Sequence, residues 1–276
     1  MEKRFRRAVY EGGMARPGER VGVALSGGKD SVSLLYLMAE LGRLRNFQVV
    51  ALSVDEGIGG YREESLKCAR VACSSLGVEH RVVRFKEGFG ATLDEMVRMA
   101  EERKTGLDPC TYCGVMRRYL LNRVAREAGV CRVATGHNLD DEVQAILLNY
   151  LRGDLSRLLR LGPSYSPREG FVPRVKPLRE IPEREVAAYA LIRDLKVHLG
   201  QCPYARGMHA EVRDFLNRLE SRHPNCKFGL LRTFERLKER LGGREEVMLQ
   251  PCDSCGEPTP EKVCRTCELL AGLGLR

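Results

Sequence analysis

Short apolar runs alternate with longer amphipathic stretches along most of this chain. Val21–Leu25 is continuously apolar, stops at Ser26, and is followed by Ser31–Leu44 with Val32, Leu34, Leu35, Leu37, Met38 and Leu41 on one side. The first pattern predicts a buried strand and the second a helix. Phe47–Val54, Arg81–Phe85 and Cys131–Thr135 read as further strands. Tyr61–Leu76, Thr92–Lys104, Val115–Ala128 and Leu139–Arg152 read as the helices between and after them. Strands separated by helix-length crossovers imply an α/β fold, a doubly wound parallel sheet with helices on both faces. Ligands of such sheets bind at the carboxyl ends of the strands, which gathers Ser26–Ser31, Val54–Gly60 and Gly136–Asp141 around one crevice.

The remainder divides by composition. Residues 1–18 read as a basic helix and a Pro/Gly turn, 19–207 as the main domain, 208–250 as a charged helical section, and 251–270 as a cysteine knuckle. Within the main domain, 153–182 is loop-rich, with Pro163, Pro167, Pro173, Pro177 and Pro182, and Glu183–Asp194 is helical.

Ser26-Gly27-Gly28-Lys29-Asp30-Ser31 joins the first strand to its helix. Two glycines let the backbone approach an anion, and the first N–H groups of the helix point at it. Lys29 adds a full charge, and Ser26 and Ser31 add hydroxyl donors. The spacing is not that of Walker A, which needs four residues between its first Gly and the Gly-Lys pair. Ser-Gly-Gly-x-Asp-Ser resembles the pyrophosphate loop (PP-loop) of the N-type ATP pyrophosphatases, which split ATP to AMP and pyrophosphate while adenylating a substrate. A plain strand–turn–helix junction is the alternative.

Charge and cysteine content sharpen the picture. The 276 residues carry a net charge of +9 that rests on 36 arginines, and a basic balance suits polyanionic partners. No apolar run approaches the ~20 residues of a membrane span, and Met1–Arg7 lacks the apolar core of a signal peptide, so the predicted address is the cytoplasm. Eleven cysteines without a secretory signal point to metal or redox chemistry rather than disulfides.

Cys110 and Cys113 form a CxxC pair that opens a helix, and Cys202 stands alone before Pro203. The helix dipole with Arg117 and Arg118 is expected to lower both thiol pKa values. Three thiolates can hold three irons of a four-iron cluster and leave the fourth open. They can also carry a persulfide with a resolving thiol, or bind zinc with a fourth ligand. The tail is a different case: Cys252-x2-Cys255-x8-Cys264-x2-Cys267 supplies four thiolates, enough to close a tetrahedral zinc site. Such a knuckle staples the C-terminus and can contact RNA. Cys68, Cys73, Cys131 and Cys226 have no partner spacing.

Gly136-His137-Asn138-Leu139-Asp140-Asp141-Glu142 follows the fourth strand. Asn138 or Asp140 can serve as an ordinary helix cap. Beside bound ATP a carboxylate can hold Mg²⁺ or assist the attacking base, with Asp141 the first choice and Asp140 the second. His137 is expected to support the turn rather than to act as acid or base.

Together Ser26–Ser31, Cys110–Asn122, Ala134–Glu142, Asn149–Asp154, Cys202–Ala205 and the tail cysteines resemble the tRNA 2-thiouridine synthetases of the TtcA/TtuA group. Within it they are most similar to the cytoplasmic tRNA 2-thiolation protein 1 branch of archaea and eukaryotes. The resemblance spans about residues 16–270. It implies ATP-dependent replacement of a uridine 2-oxygen by sulfur, with a 4Fe-4S cluster on Cys110, Cys113 and Cys202. It implies ATP and Mg²⁺ on Ala24, Ser26, Gly27, Gly28, Lys29, Asp30 and Ser31, the adenine near Val54 and Gly136, and Asp141 beside them. Lys29 and Arg117 would stabilise the developing phosphate charge. It suggests a ubiquitin-like thiocarboxylate or free sulfide as donor, often a homodimer, and zinc on Cys252, Cys255, Cys264 and Cys267. Arg-rich stretches around 152–160 and 213–240 would meet tRNA phosphates.

Two departures stand out. Members of the group commonly open with another zinc finger, and this sequence starts beyond where it would lie. The branch acting on uridine 54 usually has Lys where Arg117 stands, whereas Arg117-Arg118 and Leu151-Arg152-Gly153-Asp154 look like the wobble-uridine branch. Rival readings are another adenylating enzyme, such as a lysidine synthetase or a sulfate-nucleotide reductase, and a non-catalytic tRNA-binding subunit.

Overall fold

The structure, a computed structural model, describes residues 1–163, 169–205, 208–241 and 248–276. Pro167, the 207/208 boundary and 242–247 of the charged section lie outside the described residues. Five parallel strands form the sheet: β1 (Arg20–Ala24), β2 (Gln48–Asp55), β3 (Glu79–Arg84), β4 (Arg132–Ala134) and β5 (Arg174–Val175), in the order β3-β2-β1-β4-β5. Val21 pairs with Val49 on one side and Arg132 on the other. The chain therefore leaves β1 in one direction and returns to its opposite flank at β4. That reversal opens a crevice between the loops after β1 and β4. β5 was not foreseen, because a two-residue strand between prolines carries no alternation to detect.

Helices cover both faces. On one, α1 (Glu2–Glu11), α2 (Lys29–Arg45), α3 (Arg62–Leu76) and α9 (Glu183–Ile192) bury Val21, Val23, Leu34, Leu35, Met38 and Val186 in a common core. On the other, α4 (Phe85–Phe89), α5 (Leu93–Glu102) and α6 (Pro109–Glu127) bury Leu52, Phe85, Met96, Tyr112 and Met116. α6 begins earlier than the apolar pattern suggested. Pro109 takes its first position, where a missing N–H costs nothing, and Asp108 caps it by accepting from Cys110 N at 2.7 Å.

α7 (Leu139–Leu151) and α8 (Leu155–Arg160) lead away from the sheet. The charged section is two helices, α10 (Met208–Arg222) and α11 (Cys226–Leu241), broken at His223-Pro224-Asn225, where Asn225 is left-handed at φ 74°. Val212, Leu216, Leu231 and Phe234 join α7 in a separate apolar cluster.

The tail hairpin, β6 (Gln250–Pro251) with β7 (Pro258–Thr259), precedes α12 (Arg265–Gly272). Leu269, Leu270 and Leu273 enter the same core as α6. Burying each is worth roughly 1.5–3 kcal/mol, so the knuckle is anchored to the sheet domain. No helix among the described residues is long and apolar enough to cross a membrane.

Candidate active site

The β1–α2 loop needs its glycine. Gly27 has φ +92°, and a Cβ there would lie 1.9 Å from the Ser65 carbonyl oxygen. Ser31 Oγ is the hub of the turn: it accepts from Ser26 N at 3.1 Å and Gly27 N at 3.2 Å, and donates to Gly28 O at 3.0 Å. The β4–α7 loop closes on it. A Cβ on Gly136 would stand 3.1 Å from Ser31 N, so this glycine permits the approach of the two loops. Ala24 ends β1, and Val54 is the penultimate residue of β2.

Charged side chains from three segments meet there. Lys29 Nζ contacts Asp30 Oδ2 at 3.0 Å and Glu183 Oε1 at 2.6 Å. Burial pulls the ammonium down, but the two carboxylates outweigh it and hold its pKa above the ordinary value. Asn138 Nδ2 donates to Asp30 Oδ1 at 3.0 Å. Asn138 also caps α7, accepting from Asp140 N and Asp141 N, while its own N–H donates to Asp141 Oδ2 at 3.0 Å.

The two aspartates part company here. Asp140 Oδ2 accepts from Glu183 N at 2.8 Å, and its Oδ1 takes the ammonium of buried Lys227, which also bonds Asn217 Oδ1 at 2.6 Å. Asp140 is thus a tether between α7, α9 and α11, which corrects its place as second choice for the chemistry. Asp141 faces Asp30 and Glu183. Burial pushes its carboxyl up to about 7, the bond from Asn138 N opposes this, and the two neighbouring carboxylates add to it. His137 is pushed down to about 4, by burial first and then by Lys176, and its Nδ1 lies 2.9 Å from Thr135 Oγ1. A neutral ring bonded to the turn matches the supporting role expected of it.

Cys110 and Cys113 lie on the first turn of α6, and Cys202 comes to them from far along the chain. His198 N donates to Gly27 O at 2.9 Å, laying the segment before Cys202 across the phosphate loop. Beyond it, Tyr204 OH bonds Asp94 Oδ1 at 2.7 Å, and Tyr204 O accepts from Cys110 Sγ at 3.5 Å. Cys110 is exposed, while Cys113 and Cys202 are half-buried against the α6 core.

The expected lowering of the thiol pKa values does not occur. Burial raises Cys113 to about 11 against the opposing pull of Arg117, and burial with Asp108 raises Cys110. Arg118 is directed instead to a cleft shared with the tail. Arg117 Nε lies 3.7 Å from Glu56 Oε1, at the edge of the cysteine group. Burial thus favours the protonated form of both thiols. One exposed and two half-buried thiols beside the ATP loop form a three-sulfur donor set suited to a cluster with one position open.

Sequence reasoning missed several residues. Buried Glu56 and Arg62 form an ion pair at 2.9 Å, and Arg62 Nη1 donates to Ser26 O at 2.7 Å, bracing the loop from behind. Glu56 could have been noticed as an acidic residue directly after an apolar strand. Glu183 and Lys227 carry no such local mark.

The tail cysteines are already gathered. Their four sulfurs all lie within 4.8 Å of one another, with pairs at 3.5, 3.6 and 3.8 Å. A tetrahedron with metal–sulfur bonds of about 2.3 Å has edges of about 3.8 Å. Burial pushes the Cys252 thiol up, but the N–H groups of Cys264, Ser254 and Cys255 outweigh it and hold it below the ordinary thiol value.

Comparison with known proteins bears on this geometry. Residues 1–198 match the model of the PP-loop domain. The tRNA 2-thiolation protein NcsA of Haloferax volcanii is 37% identical, covering 99% of this chain and 90% of that one. The chain is a PP-loop protein of the tRNA 2-thiolation family. The tRNA-5-methyluridine(54) 2-sulfurtransferase of Thermus thermophilus is 38% identical over 97% of this chain and 81% of its own. Among solved structures, the U34-tRNA thiolase NcsA from Methanococcus maripaludis with its 4Fe-4S cluster superposes with a TM-score of 0.83 at 37% identity. That match covers 97% of this chain and 85% of the other. This membership accounts for the β1–α2 loop as part of the shared PP-loop domain.

Proposed function

We propose that this protein uses ATP to replace the 2-oxygen of a tRNA uridine with sulfur, with wobble uridine 34 as its target. The carrying observation is the bond from His198 N to Gly27 O, which brings the Cys202 segment onto the phosphate loop. A sulfur-handling group and an adenylating group are useful together only if one carbon can reach both.

The chain's own residues divide the work. Ser26–Ser31 hold the β- and γ-phosphates, with Lys29 leaving Asp30 and Glu183 to meet them. Asp30 and Asp141 would share Mg²⁺. The uracil 2-oxygen attacks the α-phosphorus, pyrophosphate leaves, and Lys29 and Arg117 stabilise the charge on the transferring group. When bound, a 4Fe-4S cluster supplies an open iron for sulfide. Cys110, Cys113 and Cys202 would hold the other three irons. In the overall exchange a carbon–sulfur bond forms at C2, the carbon–oxygen bond breaks, and AMP departs with the oxygen. Zinc on the four tail cysteines, a homodimer, and a thiocarboxylate or sulfide donor complete the reading.

The preference for position 34 is supported by Arg117-Arg118 and Leu151–Asp154, while relatives named for position 54 match about as well. The test is anaerobic reconstitution with iron and sulfide, then incubation with unmodified tRNA, ATP, Mg²⁺ and sulfide, followed by mapped nucleoside mass spectrometry. Sulfur at uridine 34 is the expected result. Sulfur at 54 overturns the choice of position. No sulfur with an intact cluster and bound ATP overturns the reaction.

A further inference from the structure

α6 presents three faces at its helical period. Tyr112, Met116 and Leu120 enter the core, Cys110, Cys113 and Arg117 line the site above, and Val115, Arg118, Tyr119 and Asn122 wall a separate cavity of about 360 Å³. Its other walls are the 171–174 segment leading into β5 and the four-cysteine knuckle.

The cavity is built rather than accidental. Buried Asn122 donates to Gly170 O at 2.9 Å and accepts from Val172 N at 2.9 Å, clamping the strand that displays Phe171. Gly170 has φ +76°, and a Cβ there would come within 2.6 Å of Pro258, so only glycine lets this strand touch the knuckle. Arg174 Nη2 donates to Arg118 O at 3.2 Å, tying the strand to α6 again.

Its chemistry is one-sided. Arg118, Arg160, Arg174 and Arg265 line it, Arg265 pairing with Glu268 at 3.0 Å, and Glu257, the acidic side chain among the described lining residues, is ion-paired with Arg126. Tyr119, Phe171, Pro258 and Pro260 supply flat apolar surface between the arginines. Guanidinium groups around an aromatic floor suit a phosphodiester on either side of a stacked base.

We propose that this cleft binds a nucleotide of the tRNA other than the reacting uridine, and that the four-cysteine knuckle is one wall of that site. The proposal rests on the reading of the protein as a tRNA-modifying enzyme. The cysteine face and the cleft face of α6 then hold one RNA at two points, which orients the reacting base.

The test uses the reconstituted full chain and an unmodified tRNA transcript. Arg160→Glu is expected to weaken tRNA binding about tenfold near 0.1 M salt and to reduce the log–log salt slope by about one. Phe171→Ala, which removes the stacking surface, is expected to cost about tenfold. ATP affinity should stay unchanged in both. Arg45→Ala, at the end of α2 away from the phosphate loop, is the control and should bind as wild type. Photo-crosslinking of wild type with tRNA provides a readout that needs no variant, and should place a nucleotide on a peptide containing Tyr119 or Phe171. Wild-type tRNA affinity in both variants, with crosslinks elsewhere, overturns the cleft while leaving thiolation intact. A wild-type protein that binds no tRNA overturns both readings.

Discussion

The two cysteine groups sit on the same helix-backed core, yet they are organised in opposite ways. In the tail, four sulfurs are drawn within 4.8 Å of one another, and backbone N–H groups favour a thiolate at Cys252 while burial raises Cys264 and Cys267. At the head of α6, exposed Cys110 stands beside half-buried Cys113 and Cys202, and burial raises Cys110 and Cys113. The first arrangement is closed and preorganised, as a structural metal requires. The second offers three thiols, one short of a closed set, which on the proposed reading leaves a position open to substrate. The number of ligands the chain supplies separates a staple from a reactive centre.

The comparison breaks most sharply at Cys202. Cys202→Ala should abolish thiolation and lower bound iron while leaving ATP binding and melting temperature near wild type. Undiminished thiolation, read by nucleoside mass spectrometry, would remove the cluster from the proposal. The tail should behave inversely: Cys264→Ser is expected to lower the melting temperature by more than about 5 °C and to release the tail metal, with ATP affinity retained. Calorimetry with metal analysis checks it, and an unchanged melting curve would mean that α12 holds the knuckle unaided.

A third change probes the neighbour of the reactive site. Asp140→Ala leaves the Lys227 ammonium buried without its partner, at a cost of about 3–5 kcal/mol, whereas Asp140→Asn with Lys227→Met should recover much of it. A denaturant double-mutant cycle measures the coupling, and additive losses would mean that the tether is not an ion pair.

The smallest effect concerns Asp141. Its carboxyl stands at about 7 in the folded chain against an ordinary 3.8, so the folded state holds the proton more tightly than the unfolded one. That contribution is full below about pH 4 and is lost as pH rises through 7. In the absence of nucleotide, the melting temperature of wild type relative to Asp141→Asn should fall by a few degrees between pH 5 and 8. A pH-independent difference would show that Asp141 is ordinary.

The sequence by itself determined the local architecture. A strand, a glycine pair and a helix at Val21–Leu41 are specified by periodicity and by the backbone freedom of Gly27. The CxxC spacings of the tail place sulfurs together because residues three apart share one turn. Both are short-range physics, legible without a partner. The second loop was legible in the same way, as a polar cap following an apolar strand.

Only the tertiary structure decided what these pieces meet. Lys29 finds Glu183 at a separation of 154 residues, Cys110 finds Tyr204 at 94, and Asp140 finds Lys227 at 87. No periodicity encodes such pairs, because they depend on which helices the sheet order brings to one edge. The same holds for the direction of the thiol shifts, where the helix dipole and two arginines suggested lowering. Burial overruled the dipole, and one of those arginines turned toward the cleft instead. Local pattern chose the groups, and the packing around them chose their partners, their charge states and their division of labour.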